Sequence, residues 1–101
     1  MAPEPLSPQQ LDEALAELPG WQADGDHLSR TYSLPRHTAV AAMAVHVATL
    51  QDELNHHSEM TLGYRSLGIT MNTHSVGGRI TELDTTLARR IAGIAAGHGA
   101  T

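Results

Sequence analysis

The feature that most constrains this chain is a change of hydrophobic period at its middle. From about Thr38 to Asn55, the residues Val40, Met43, Ala44, Val47, Leu50 and Leu54 recur at helical spacing in an Ala-rich background. On both sides of this segment the apolar residues instead alternate with polar ones. A long amphipathic helix between two alternating segments has one economical solution, which is to lay its stripe across a sheet built from those segments.

The first alternating segment is a hairpin. Trp21 and Ala23 lead into Asp24-Gly25, a tight-turn dipeptide, after which Leu28, Arg30, Tyr32 and Leu34 interleave with Ser29, Thr31 and Ser33. The second runs through Met60, Leu62 and Tyr64, turns at Arg65-Ser66, and returns through Leu67, Ile69, Met71 and Thr73. The opposite face of its return strand reads Gly68, Thr70, Asn72, His74, so His74 ends a polar face.

Two further helices bracket the hairpins. Ser7-Pro8-Gln9-Gln10 carries an N-cap, a first-turn proline and a capping-box partner, and Leu11, Leu15 and Leu18 share a face before Pro19-Gly20 stops the helix. After a Val76-Gly77-Gly78-Arg79 loop, Thr81-Glu82-Leu83-Asp84 repeats the capping-box pattern, and Leu83, Leu87, Ile91 and Ile94 carry a last helix to near Gly97. The expected fold is α+β: a four-stranded antiparallel sheet with three helices packed on one face, in the order α-β-β-α-β-β-α. Residues 1–6 read as a flexible lead-in, 7–97 as a single domain and 98–101 as a tail.

Composition narrows what this domain does. The chain of 101 residues has one Trp, two Tyr and no Phe, so its core is aliphatic. Zero Cys excludes disulfides, thiolate catalysis and thiolate zinc sites. A net charge of −5 with six Lys and Arg argues against a nucleic-acid surface. Neither a signal-peptide pattern at the start nor an apolar run of about 20 residues is present, so a soluble cytoplasmic protein with no membrane contact is expected.

The chemistry concentrates in Asp52-Glu53-Leu54-Asn55-His56-His57-Ser58, followed by Tyr64, His74 and Asp84. Imidazole exchanges protons readily at neutral pH, so three histidines converging on one place suit general acid–base work. His56 follows Asp52 by one helical turn; if the helix persists, the carboxylate lies beside that imidazole. Read singly, these residues have ordinary roles: a polar helix end for the paired histidines, a packing role for Tyr64, a capping partner for Asp84. His27, His37, His46 and His98 have no partner at suggestive spacing and read as surface or structural. Met43 and Met71 read as core filler.

Jointly, the spacing Asp52-x3-His56-His57-Ser58-x5-Tyr64-x9-His74-x9-Asp84, with Asn55-His56-His57, Ile69-Thr70, Thr73-His74 and Gly77-Gly78, resembles the pterin-4a-carbinolamine dehydratase family. The likeness is closest over residues 43–94. It departs at Ser58, where Pro is usual, at Met60, where an aromatic is common, and in one extra residue between Gly78 and Asp84. The resemblance implies removal of water from 4a-hydroxytetrahydrobiopterin to give the quinonoid dihydropterin, which recycles the cofactor of aromatic amino-acid hydroxylases. It implies no metal or organic cofactor and a homo-oligomer, dimer or tetramer. Carried over by position, His56 and His74 transfer protons, and His57 mainly holds the pterin. Asp52 and Asp84 orient imidazoles, and Asn55, Asn72, Thr73 and Ser75 offer polar contacts to the ring edge.

Two other readings compete. Animal members of this family also serve as dimerisation cofactors of a homeodomain transcription factor, so a non-catalytic interaction module on the same fold is one alternative. A metal site made of His56, His57, His74 and a carboxylate is the other, and lacks a supporting ligand spacing.

Overall fold

The computed structural model describes residues 3–101. Three helices, α1 (Pro8–Ala16), α2 (His37–Leu54) and α3 (Glu82–Ala95), accompany four strands, β1 (Gln22–Asp24), β2 (His27–Ser33), β3 (Glu59–Leu62) and β4 (Ser66–Met71). The chain order is the expected α-β-β-α-β-β-α, and the sheet is antiparallel throughout in the order β1-β2-β4-β3.

Period decides which side of the sheet is covered. Leu28 and Tyr32 of β2 stand opposite Met71 and Leu67 of β4, and these join Ile69 in a buried row. Val40, Met43, Ala44, Val47 and Leu50 of α2, with Leu87, Ala88 and Ile91 of α3, complete that core. With one tryptophan, the largest aromatic contact is Trp21 edge-on to Tyr32, its indole N–H donating to the Tyr32 hydroxyl at 3.2 Å. The other sheet face carries Ser29, Thr31, Thr61, Gly68 and Thr70, and no helix among the described residues covers it.

Local chemistry sets the ends of the elements. Ser7 and Gln10 form the expected capping box of α1, and Thr81 and Asp84 form that of α3. The second hairpin turns one residue earlier than expected. Gly63 N–H donates to the Ser66 carbonyl at 2.8 Å and Leu62 pairs with Leu67, so Tyr64-Arg65 form the tip. Tyr64, expected to pack, is therefore 79% exposed, its carbonyl 3.0 Å from His37 Nδ1. Leu83 also lies outside the core, exposed on the first turn of α3.

Both ends of the domain are fastened. Pro5 stands opposite Thr81 in an isolated bridge and Leu6 N–H donates to the Ile80 carbonyl at 2.9 Å, so the lead-in is tied down at its end. Thr101 exchanges two backbone bonds with Ser33, which extends the β2 backbone pairing into the tail. Residues 1–2 of the expected lead-in lie outside the described residues.

Candidate active site

The site begins where α2 stops. Asn55 caps the helix in the left-handed conformation at φ 50°, which turns the chain sharply after Leu54. Two consecutive histidines leaving such a turn cannot share a direction, and they part. His56 goes inward, 8% exposed, while His57 stays at the surface.

His56 meets Asp84. Its Nε2 lies 2.6 Å from Asp84 Oδ1, and the carboxylate is fully buried. Asp84 Oδ2 also accepts from the Thr73 hydroxyl at 2.8 Å and from Thr81 N–H at 2.9 Å. Because Thr73 spends its hydroxyl proton on Asp84, the 2.7 Å contact between Thr81 Oγ1 and Thr73 Oγ1 is donated by Thr81. Thr81 Oγ1 in turn accepts from Leu83 N–H at 3.1 Å. A carboxylate surrounded by donors fixes the tautomer of its partner: His56 carries its proton on Nε2, leaving Nδ1 as the free nitrogen of the neutral ring. Asp84 is thus both the capping partner of α3 and the orienter of an imidazole.

Asp52 does not do what the helical spacing predicts. The left-handed cap removes His56 from the helix surface, and Asp52 Oδ1 instead lies 3.1 Å from His57 Nε2. That pair is open to water, with the imidazole 57% and the carboxylate 81% exposed. Gln51, one position earlier, has the more structural part. Buried on the inner face of α2, its Oε1 accepts from Ser58 N–H at 2.9 Å and from the Ser58 hydroxyl, tying down the segment after the paired histidines. Proline at position 58 would have no N–H to give.

Next to this segment, at the end of the sheet, lies a cavity of about 340 Å3. His57, Ser58 and Glu59 form one wall, and Thr70, Met71 and Asn72 from the end of β4 form the floor. His74 closes it from a short 3-10 turn, His74–Val76, which ends at Gly77 with φ 73°. His27, from the start of β2, completes the lining. His56 is absent from that lining and borders a separate cavity of about 270 Å3 with Leu54, Leu83 and Thr86.

The expected residues therefore fall into three groups. His57, His74 and Asn72 share the cavity. His56, Asp84 and Thr73 form a buried network outside that lining, with the Thr73 hydroxyl directed to Asp84 instead of a ligand. Asn55, Ser75 and Asp52 lie outside the lining; Asn55 shapes the backbone turn and Ser75 is exposed on the 3-10 turn. Among the described residues, no three His, Cys, Asp or Glu side chains come together as a metal site would need.

Sequence reasoning missed two participants. Gln51 left a signal, since a lone amide interrupting an apolar stripe must find a buried partner. His27 left none, because its place beside the cavity depends on the pairing of β2 with β4, which no local pattern specifies.

Comparison with known proteins agrees with the fold and the spacing. The family model described as "Pterin 4 alpha carbinolamine dehydratase" matches residues 4–94. A Streptomyces avermitilis protein named "Putative pterin-4-alpha-carbinolamine dehydratase" is 57% identical over 100 residues, covering 99% of both chains. One of the same name from Streptomyces coelicolor is 56% identical over 100 residues, again covering 99% of each. Among solved structures, a transcriptional coactivator/pterin dehydratase from Brucella melitensis superposes with a TM-score of 0.84 at 30% identity, covering 90% of this chain and 98% of that one. A pterin dehydratase-like protein identified as a RuBisCO assembly factor in the alpha-carboxysome shares the fold at a TM-score of 0.59 and 19% identity, covering 73% and 84%.

Proposed function

The chain belongs to the pterin-4a-carbinolamine dehydratase family, and from that premise we propose that it removes water from a 4a-hydroxytetrahydropterin. The observation that carries the proposal is the cavity lined by both His57 and His74, next in the chain to His56 and Thr73 of the buried Asp84 network.

The reaction asks for two proton transfers. One group protonates the 4a-hydroxyl so that the C4a–O bond breaks and water leaves; another takes the proton from N5, whose electron pair forms the C4a=N5 bond of the quinonoid product. His74 lines the cavity and supplies one of these groups. The other falls on the His56–His57 pair, where two observations pull apart. Access favours His57, which lines the cavity. A buried counter-charge favours His56, because Asp84 stabilises the imidazolium that forms when that ring takes a proton. Asn72, on the floor, offers an amide to the ring edge.

The assay generates the 4a-hydroxytetrahydropterin in situ and follows the quinonoid product by absorbance. His74→Ala is expected to lower kcat by about 100-fold, the lower range for loss of a general acid or base. His56→Ala and His57→Ala divide the second role: a fall in kcat marks the proton carrier, a rise in KM alone marks the holder. A wild-type protein that does not accelerate product formation, or activity untouched by all three substitutions, would falsify this function.

The recycled product implies a reductase acting after this step and a pterin-dependent hydroxylase before it, in the cytoplasm. Self-association as dimer or tetramer would use the outer face of α2, where Ala41, Ala42 and Val45 are exposed; light scattering reads it out. No helix among the described residues is long and apolar enough to cross a membrane.

A further inference from the structure

We propose that His27 is a fourth histidine of this site and contacts the bound pterin, an inference that rests on the dehydratase reading above. Three observations point to it. His27 lines the same cavity as His57 and His74, and among the described residues it alone brings the chain before α2 into that lining. The register fixes where it stands. Leu28 pairs with Met71 and Thr70 pairs with Glu59, so β4 runs between His27 on one side and the Ser58–Glu59 wall on the other. Two strand spacings put those walls roughly 10 Å apart, with His27 and the His57–Glu59 segment on opposite sides of β4.

The third observation sets the chemistry. Asn72 Nδ2 lies 3.1 Å from His27 Nε2. An amide nitrogen only donates, so His27 Nε2 accepts and the ring carries its proton on Nδ1. That contact leaves His27 one remaining polar group, the Nδ1–H donor. Its complement on a pterin is a hydrogen-bond acceptor, a ring carbonyl or a side-chain hydroxyl, on the part of the ligand away from His57. The residue takes no part in proton transfer; it holds the ligand.

Single-residue isosteres separate the two nitrogens. Asparagine places its amide nitrogen near the position of Nδ1 and cannot reach Asn72; glutamine places its oxygen near Nε2, keeps the Asn72 contact and loses the donor. In the dehydratase assay His27→Ala is expected to raise KM by about three- to tenfold with kcat within about twofold, the signature of a binding contact equal in ground and transition states. His27→Asn should hold KM within about twofold of wild type, and His27→Gln should match the alanine variant. His27 is exposed, so circular dichroism melts of all three variants should overlay that of wild type.

A KM unmoved in His27→Ala, or a fall in kcat at constant KM, overturns the contact. Retention by glutamine and loss by asparagine overturns the Nδ1 assignment and the proposal with it. An inactive wild-type protein removes the dehydratase reading and this inference together, whereas an active wild type with an indifferent residue 27 removes this inference alone.

Discussion

Replacing Asp84 with alanine tests the centre of the site, and its cost can be worked from the bonds. The carboxylate is 0% exposed and accepts from His56 Nε2, the Thr73 hydroxyl and Thr81 N–H. Thr73 keeps its 2.7 Å bond as the acceptor from Thr81 Oγ1, but its own hydroxyl proton loses its acceptor. Thr73 O–H, Thr81 N–H and His56 Nε2–H are then all left without their buried acceptor. Each such donor costs about 1–3 kcal/mol, so the three together set the loss at roughly 3–9 kcal/mol, toward the low end because the Thr73 hydroxyl can turn. The Thr81 bond is also the reciprocal half of the α3 capping box, so that term enters once. A loss near 4 kcal/mol is a large part of the 5–15 kcal/mol typical of such a domain, and lowers the melting temperature by roughly 15–30 °C.

Asp84→Asn is the companion variant. Its amide oxygen still accepts from Thr81 N–H, but its nitrogen now faces His56 Nε2, so the imidazole must move its proton to Nδ1. The expected cost is about 1–2 kcal/mol, and a loss of turnover out of proportion to that cost marks His56 as the proton carrier, because its ring then holds the wrong tautomer. Urea denaturation followed by circular dichroism measures both stabilities, and long-range 15N correlations of the His56 ring report the tautomer. A cost below about 1 kcal/mol for Asp84→Ala at unchanged m-value would refute the network. So would an Nε2-protonated His56 in Asp84→Asn.

Three further outcomes follow from neighbouring residues. Gln51→Leu removes the acceptor for both Ser58 donors and should cost about 1–3 kcal/mol in urea denaturation, with faster amide exchange at Ser58; Ser58→Pro should lose part of the same energy. Asn55→Ala keeps a Cβ at φ 50° but loses the short polar side chain that makes the left-handed conformation tolerable, and should destabilise by about 1–2 kcal/mol, while Asn55→Gly should not; melting curves of the pair separate backbone strain from lost side-chain contact. Asp52→Asn alters an ion pair open to water, and the expected stability change by chemical denaturation is within the 0–1 kcal/mol of surface pairs.

Much of this protein is legible without coordinates, for a reason of range. Helical spacing in Val40 to Leu54, alternation in β2 and β4, and the Ser7 and Thr81 capping boxes are interactions between residues at most a few turns apart, so each leaves a local pattern. The joint spacing of the histidines carries the family in the same way. Local chemistry misleads where two local signals compete. Asp52 and His56 sit one turn apart in sequence, yet the left-handed Asn55 breaks the helix between them, and Asp52 meets His57 instead. At the second hairpin, alternation runs on through Tyr64, but the turn closes at Gly63 and Ser66 and leaves that ring in solvent.

What only the tertiary structure decided is every contact between residues distant in the chain. His56 with Asp84, 28 positions on, and Asn72 with His27, 45 positions back, exist because α3 packs beside the end of α2 and β4 pairs with β2. His46 with His98 at 2.8 Å is a third instance, two rings read singly as isolated and joined where the last turn of the chain folds against α2. Sequence fixes which residues are apolar, capped or strained, because those energies act along the chain. Which imidazole receives a buried carboxylate and which faces the cavity depends on strand register and helix packing, and those come from the closing of one shared core.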